Sequence, residues 1–283
     1  CSSDLMIFAR ERAQVIANKL KKLMVVRKFQ LDDWKVKEGF FLRPEEADRA
    51  EEDWETFDSR LMHWYGPDRH YWFRTVFTVP EEYDGKGLWL RIRTQIEEWD
   101  DAKNPQFLVF LNGEAVQGAD MNHREVLLSE AATAGETVTV DLQAYSGTLH
   151  PEFRLMADVE EVSEPVKDLY YDIQVPLWAM DRMDQEGKTA IDILTVLNDT
   201  ISLLDLRDVF SDDFYRSVEA ARAYIAKALY EDLAGDDTVI ATCIGHTHID
   251  VAWWWTVAQS REKAARSFAT VLELMDEYPE YRF

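Results

Sequence analysis

Residues 71–79, with the sequence YWFRTVFTV, decide the fold of the middle of this chain. The run is rich in aromatic and β-branched side chains that follow a period of two, and Pro80 ends it. Such side chains fit the pleated surface of a sheet, so the pattern predicts a β-strand.

Short runs of the same kind continue along the chain, with turn residues between them. They cover residues 87–94, 107–111, 114–116, 125–128, 137–142 and 152–159. Asn112-Gly113 separates two of these runs, and Asn-Gly between apolar runs is a strong local signal for a hairpin. Strands at this spacing predict an antiparallel, jelly-roll-like β-sandwich.

Other segments flank the predicted sandwich. The apolar spacing predicts an N-terminal helix over 7–24, with a basic polar face, and two connector helices over 189–204 and 212–233. Residues 29–60 mix aromatic and acidic side chains, which predicts loops and short elements that wrap over a core. Residues 165–178 are predicted to be a partly extended transition.

The end of the sequence predicts a different fold class. Residues 237–245 form an apolar run typical of a buried strand in a parallel sheet, and 258–278 form a helix that Pro279 ends. The helical side chains predicted to face inward are Ala265, Phe268, Val271, Leu272 and Met275. One strand and one helix open an α/β domain but cannot bury both faces of the strand. Because the chain stops at Phe283, we expect it to be cut off inside this domain.

The predicted organisation is therefore multidomain, with α and β parts. It comprises an N-terminal helix and wrapping segment (1–60), a β-sandwich (61–165), a helical connector (166–236) and the first strand and helix of an α/β catalytic domain (237–283).

Charge and hydropathy exclude several classes of partner. The chain has 54 acidic and 31 basic side chains, a formal charge of −23 and a pI near 4.6. This surplus repels the phosphates of nucleic acids and the head groups of anionic lipids, so we expect neither as a partner. No apolar run reaches the roughly 18 residues of a membrane span.

The two cysteines, Cys1 and Cys243, do not indicate a disulfide framework. Residues 1–4 (CSSD) are similar to the start of a mature bacterial lipoprotein, which would anchor the chain at the cell surface through Cys1. We favour the alternative that Met6 is the natural start, because a helix begins at once without a flexible tether. A cytoplasmic location is then expected.

Three polar side chains that suit a metal follow the predicted strand 237–245. His246, His248 and Asp250 alternate along an extended backbone, so their side chains project to one side. Imidazole nitrogens and carboxylate oxygens are good zinc donors, although a closed site needs at least one donor from elsewhere. The alternative is a pair of structural histidines that satisfy hydrogen bonds in the loop.

The residues around these three resemble the start of the catalytic domain of the glycoside hydrolase family 38 α-mannosidases, in their bacterial and vacuolar branch. The resemblance covers residues 246–256 (HTHIDVAWWWT) and continues through Arg261-Glu262-Lys263 to Pro279. Upstream it includes residues 34–39 (WKVKEG), 110–113 (FLNG) and 120–125 (DMNHRE).

The resemblance implies a retaining, zinc-dependent exo-glycosidase that hydrolyses terminal α-mannosyl residues of oligosaccharides. It implies that His248 and Asp250 bind one zinc ion, which holds hydroxyls of the terminal mannose, and that Trp253 lines the sugar subsite. His246 is a candidate for support of the metal ligands. The family's nucleophilic aspartate and a further histidine ligand lie later in the chain, beyond Phe283. We therefore expect half a zinc shell, no catalytic pair in this chain, and an inactive fragment.

Two hypotheses from different classes stay open. In the first, the chain is the amino-terminal part of an α-mannosidase whose partners are mannose-containing oligosaccharides, with a homo-oligomer left open. In the second, it is a non-catalytic carbohydrate-binding β-sandwich. Residues 120–125 have the donors and acceptors of a sugar contact, but we favour the alternative that this cluster is a loop network that fixes the sandwich to its neighbour.

Overall fold

The computed structural model describes residues 2–51, 53–96, 103–233 and 242–283. The twelve strands in these ranges are β1 (Val25–Gln30), β2 (Asp33–Glu38), β3 (Glu55–Asp58), β4 (Trp64–Tyr65), β5 (His70–Thr78), β6 (Leu88–Arg93), β7 (Gln106–Leu111), β8 (Glu114–Ala119), β9 (Glu125–Ser129), β10 (Thr137–Tyr145), β11 (Glu152–Phe153) and β12 (Met156–Val162). The α-helices are α1 (Ser2–Leu23), α2 (Pro44–Arg49), α3 (Glu164–Met180), α4 (Lys188–Ser202), α5 (Asp212–Ile225) and α6 (Val257–Glu277).

The chain divides into two compact units. The helical unit comprises Cys1–Arg27 and Val162–Ala241, and the sandwich unit comprises Lys28–Glu161 and Thr242–Phe283.

Helices α1, α3, α4 and α5 pack around one apolar core in the helical unit. Their fully buried side chains include Ala17, Leu20, Leu169, Ile173, Leu197, Phe214 and Val218. The predicted helices over 7–24 and 189–204 are confirmed as α1 and α4. The predicted helix 212–233 is confirmed as α5, which continues as a π-helical stretch over Ala226–Asp232.

The partly extended transition predicted for 165–178 is wrong, because α3 covers this segment. Pro165 lies in the first turn of α3, where the missing N–H would have no helical acceptor. Pro176 lies inside the helix and cannot donate to the carbonyl of Asp172, four residues earlier. The hydroxyl of Tyr230 donates to that carbonyl at 3.5 Å. Helix α3 therefore accommodates both prolines.

No helix in the described ranges is long and apolar enough to cross a membrane. Cys1, the residue of the lipid-anchor alternative, lies outside the described residues.

Two larger sheets and a two-stranded pair, β11-β4, form the sandwich unit. The larger sheets have the orders β1-β12-β6-β9 and β3-β2-β5-β10-β7-β8. Each strand pair between β5, β10, β7 and β8 is antiparallel. The predicted antiparallel sandwich is therefore confirmed. The prediction that residues 29–60 wrap over a core as loops and short elements is wrong for β2, because this strand pairs with both β3 and β5. Its two buried apolar side chains, Trp34 and Val36, alternate with charged ones, and this short period-two signal was missed.

The six-stranded sheet is covered on both faces. Its inner face contributes Phe73, Val109 and Leu142 to the core that it shares with the four-stranded sheet. On the outer face, Trp72, Leu108 and Phe110 form a second cluster with Ala47, against which Phe41, Trp54 and Ala269 pack. Burial on both faces explains why residues 71–73 are apolar without interruption.

The strand predicted over 237–245 falls largely outside the described residues, which resume at Thr242. Residues 242–245 have no regular secondary structure, and most of them are exposed. A strand needs neighbours that accept and donate its backbone hydrogen bonds, and none of the described strands pairs with this segment.

The inward face predicted for α6 is also wrong. Phe268, Leu272 and Met275 are exposed, whereas the three buried side chains of α6 are Gln259, Glu262 and Arg266. The helix packs on β8 and β7 through its polar face, for which the sandwich supplies polar partners.

Candidate functional site

A capping box fixes the start of α6. The backbone N–H of Gln259 donates to Oγ1 of Thr256 at 3.3 Å, and the N–H of Thr256 donates back to Oε1 of Gln259 at 3.0 Å. Two otherwise unpaired donors of the first turn are thereby satisfied. The loop of residues 246–255, here called the histidine loop, therefore ends at a fixed point.

The histidine loop is also tied down along its length. Nε1 of Trp255 donates to the carbonyl of Asp250 at 3.2 Å and to Oγ of Ser260 at 3.1 Å. At the other end, the N–H of Gly245 donates to the carbonyl of Arg282 at 2.6 Å. A Cβ atom on Gly245 would lie 2.2 Å from the hydroxyl oxygen of Tyr281, so a larger residue there would displace the Tyr281 side chain.

His248 and Asp250 lie together at the tip of the loop. Nε2 of His248 is 3.2 Å from Oδ1 of Asp250, and the two side chains are 78% and 49% exposed. Two ligands of a tetrahedral zinc ion, each at 2.0–2.2 Å, are separated by about 3.4 Å. The pair therefore has the donor chemistry and the spacing of two ligands of one zinc ion. Within the described ranges, no group of three or more His, Cys, Asp or Glu side chains could hold a metal ion.

Trp253 lines the same cleft as this pair. The cleft has a volume of about 380 Å³, and Trp255, Lys263, Gln106 and Asp120 are among its other lining residues. The indole of Trp253 is 65% exposed, which leaves it available to a ligand. Nζ of Lys263 lies 4.3 Å from the centre of the Trp255 ring and adds a cation beside the aromatic surface.

His246 lies apart from the other predicted site residues. It lines a second cleft, of about 310 Å³, together with His123, Arg266 and Tyr281. The structure thus brings His248, Asp250 and Trp253 to one cleft and places His246 at another. Asp120 lines both clefts.

A buried polar network holds α6 on the sandwich. Nε2 of His70 is 3.0 Å and 3.1 Å from the two carboxylate oxygens of Glu262, which can only accept, so this nitrogen donates. Glu262 also faces the guanidinium of Arg266 at 3.7 Å, and Arg266 donates to Oε1 of Gln106 in β7. At the start of the helix, Nε2 of Gln259 donates to Oδ1 of Asp68 at 2.8 Å.

Arg266 lies deepest in this contact. Burial lowers the pKa of its guanidinium to about 10, although the carboxylates of Glu262 and Asp120 act in the opposite direction. Directly beneath it is Gly118 of β8, on which a Cβ atom would lie 2.8 Å from Cβ and 2.9 Å from the carbonyl oxygen of Arg266. The N–H of Gly118 donates to Oγ1 of Thr270 at 3.1 Å. The helix backbone therefore approaches the strand as closely as glycine allows.

This network was not predicted from the sequence. Its helical members, Gln259, Glu262 and Arg266, follow helical spacing at intervals of three and four residues. That spacing was the available signal, but polar side chains at helical spacing usually mark a solvated face. The partners on the sandwich, His70, Gln106 and Asp68, are far away in sequence and carry no local pattern.

Comparison with known proteins finds a family model that matches the histidine loop. Residues 238–283 match the glycosyl hydrolases family 38 N-terminal domain. This part of the chain is thus similar to the N-terminal domain of the family 38 glycosyl hydrolases. The match contains the whole histidine loop and α6, and the family named from the sequence is confirmed.

Curated relatives extend the similarity upstream of residue 238. Alpha-mannosidase G of Dictyostelium discoideum is 24% identical over 248 residues, which are 80% of this chain and 21% of that protein. Alpha-mannosidase 2C1 of Homo sapiens is 25% identical over 231 residues, which are 75% of this chain and 21% of that protein. The alpha-mannosidase of Saccharomyces cerevisiae is 29% identical over 109 residues, which are 38% of this chain and 9% of that protein. This chain thus spans about a fifth of the length of the first two relatives.

The Arg266→Met variant tests whether the buried network positions the histidine loop. Methionine fills similar space but leaves the Glu262 carboxylate buried without its cationic neighbour. Removing one partner of a buried ion pair typically destabilises by about 3–5 kcal/mol. We expect a lower melting temperature and faster amide hydrogen exchange over residues 246–255.

Arg261→Met provides the matched control, because Arg261 is an exposed residue of the same helix. It should leave both measurements near the wild-type values. Unchanged hydrogen exchange in the Arg266 variant would show that the loop holds its position without the network.

Proposed function

We propose that the protein carrying this chain is a retaining, zinc-dependent α-mannosidase that removes terminal α-mannosyl residues from oligosaccharides. One observation carries the proposal: the family 38 match covers the loop that brings His248, Asp250 and Trp253 to one cleft. The mannosidase names of the curated relatives support the choice of mannosides as substrates.

His248 and Asp250 are the residues that would hold the zinc ion. Nε2 of His248 and a carboxylate oxygen of Asp250 supply two donors, and their exposure leaves room for further ligands. A bound zinc ion would supply a Lewis acid and a template for sugar hydroxyls. The carbonyl of Asp250, held by Nε1 of Trp255, keeps the backbone of this ligand in place.

Trp253 is the proposed platform for the sugar ring. Its exposed indole presents an apolar face beside the donor pair, and the apolar face of a pyranose packs well on such a surface. His246 faces the other cleft, so we propose that it supports the loop and does not bind the metal.

A retaining glycosidase also needs a nucleophilic carboxylate and a second carboxyl group about 5–5.5 Å away. We assign no carboxylate of this chain to either role. We propose instead that the chain supplies part of the metal shell and one wall of the sugar site. A carbohydrate-binding sandwich without hydrolytic activity is the alternative outcome of the experiments below.

The Asp250→Asn variant of the complete protein tests the metal assignment. Even a partner that only orients a metal ligand costs about 10–100-fold in metal affinity when it is removed. Replacing the ligand itself should therefore weaken zinc binding by more than about 100-fold and abolish hydrolysis of an aryl α-mannoside. Zinc content after dialysis, measured by mass spectrometry, reports binding independently of activity.

Asp208→Asn is the control for this variant, because Asp208 is an exposed residue of the helical unit. It should retain zinc and turnover. If Asp250→Asn kept one zinc ion per chain and normal turnover, the assignment of Asp250 as a ligand would be wrong.

The Trp253→Ala variant tests the sugar platform. Loss of the indole should raise KM for an aryl α-mannoside about fivefold, because an aromatic contact contributes about 1 kcal/mol beyond its buried area. The neighbouring Trp254 is similarly exposed, at 56%, but does not line the cleft. Trp254→Ala should therefore leave KM within about twofold of wild type, and equal effects of the two variants would contradict the proposal.

A further inference from the structure

The cleft at the histidine loop has a second wall that comes from the sandwich. Residues 247–250 with Trp253 and Trp255 form the first wall, Gln106 and Asp120 form the second, and Lys263 and Ser267 of α6 also line the cleft. Gln106 is the first residue of β7, and Asp120 directly follows the last residue of β8. Both therefore stand on neighbouring strands of a rigid sheet, beneath α6.

A tight turn fixes the carboxylate of Asp120. Its Oδ1 accepts the backbone N–H groups of Asn122 at 2.7 Å and of His123 at 2.8 Å, and Nδ1 of His123 lies 3.3 Å away. Burial alone would raise the pKa of this carboxyl, but the hydrogen bonds from His123 and Asn122 outweigh it and hold the pKa below its usual range. Asp120 is therefore ionised and immobile at neutral pH.

The hydrogen bonds of this turn reach Oδ1 of Asp120, and the other carboxylate oxygen, Oδ2, takes no part in them. The side chain is 22% exposed and lines the cleft, so the carboxylate is partly accessible to a ligand. An ionised carboxylate accepts strong hydrogen bonds from hydroxyl groups. Gln106 differs, because its Oε1 already accepts from Arg266 and from Lys263.

The position of Asp120 indicates which sugar it meets. His248, Asp250 and Trp253, which we assign to the terminal mannose, all belong to the histidine loop. Asp120 belongs to the other wall and lines both the cleft of His248 and the cleft of His246. A saccharide whose terminal sugar lies at Trp253 and whose next unit extends towards the cleft of His246 would pass this carboxylate.

We propose that Asp120 determines specificity by accepting hydrogen bonds from the sugar unit next to the terminal mannose. The sandwich then forms part of the substrate site as well as the support for α6. This inference rests on the proposed function, since it needs a mannoside in the cleft. It assigns the contact to a sugar on the leaving-group side.

The experiment compares two substrates in the complete protein: an aryl α-mannoside, which has no second sugar, and an α-linked mannobiose. The variant is Asp120→Asn, which retains one oxygen for the turn and replaces the other oxygen by an NH2 group. We expect kcat/KM for mannobiose to fall at least about tenfold, the usual effect of losing a hydrogen bond to a charged group. We expect kcat/KM for the aryl mannoside to change less than about threefold, with zinc content unchanged.

Asp84→Asn is the matched control. Oδ1 of Asp84 accepts the N–H of Ala134 at 2.9 Å in another turn of the sandwich, and Asp84 does not line the cleft. This control should behave as wild type on both substrates. An equal loss on both substrates in Asp120→Asn, or no loss on either, would overturn the proposal.

Failure of the proposed function would look different. In that case the wild-type protein would hydrolyse neither substrate. Calorimetric titration with mannobiose then still tests Asp120, because the proposal expects weaker binding by Asp120→Asn than by wild type. An unchanged Kd, or no mannobiose binding by wild type, would overturn it.

Discussion

The buried contact of Glu262 and Arg266 with His70 and Gln106 holds α6 on the sandwich, and the position of the histidine loop depends on it. The loop leads directly into the first turn of α6 and is bonded to that turn through Trp255 and Ser260. Any movement of the helix therefore moves His248 and Asp250. The sheet supplies the rigid base, since β7 lies between β10 and β8.

This polar contact makes specific demands on geometry. The buried carboxylate of Glu262 and the guanidinium of Arg266 must keep their partners, because removing one partner of a buried ion pair is strongly destabilising. The close approach of Gly118 to Arg266 adds a steric limit to the same contact. The network also extends towards the cleft, because Nζ of Lys263 donates to Gln106 and lies over the ring of Trp255. Gln106 and Lys263 thus belong both to the network that holds α6 and to the lining of the cleft.

Much of the fold followed from local patterns. Strands such as β5 and β7, and helices such as α1 and α4, have the periods that their secondary structure requires. Helix α3 was missed because Pro165 and Pro176 are local signals for a break, and the compensation by Tyr230 is a long-range contact. Periodicity also predicted α6 as a helix. It did not indicate which face packs, because that depends on His70, Gln106 and Gly118, which no local pattern links to the helix.

The candidate site divides in the same way. His248, Asp250 and Trp253 were found because they are close together in sequence and match a family motif. The role of the second wall was left open, because Asp120 reaches the cleft only through the docking of α6. Metal-binding side chains that are close together in sequence can indicate a metal site. The residues on the opposite wall of the cleft are brought there by tertiary structure and cannot be found in this way.

The most direct test is anomalous diffraction at the zinc edge from crystals of the complete protein. The account predicts a zinc peak at roughly 2.0–2.2 Å from a ring nitrogen of His248 and a carboxylate oxygen of Asp250. A zinc peak bound by other residues, or no peak at saturating zinc, would contradict it.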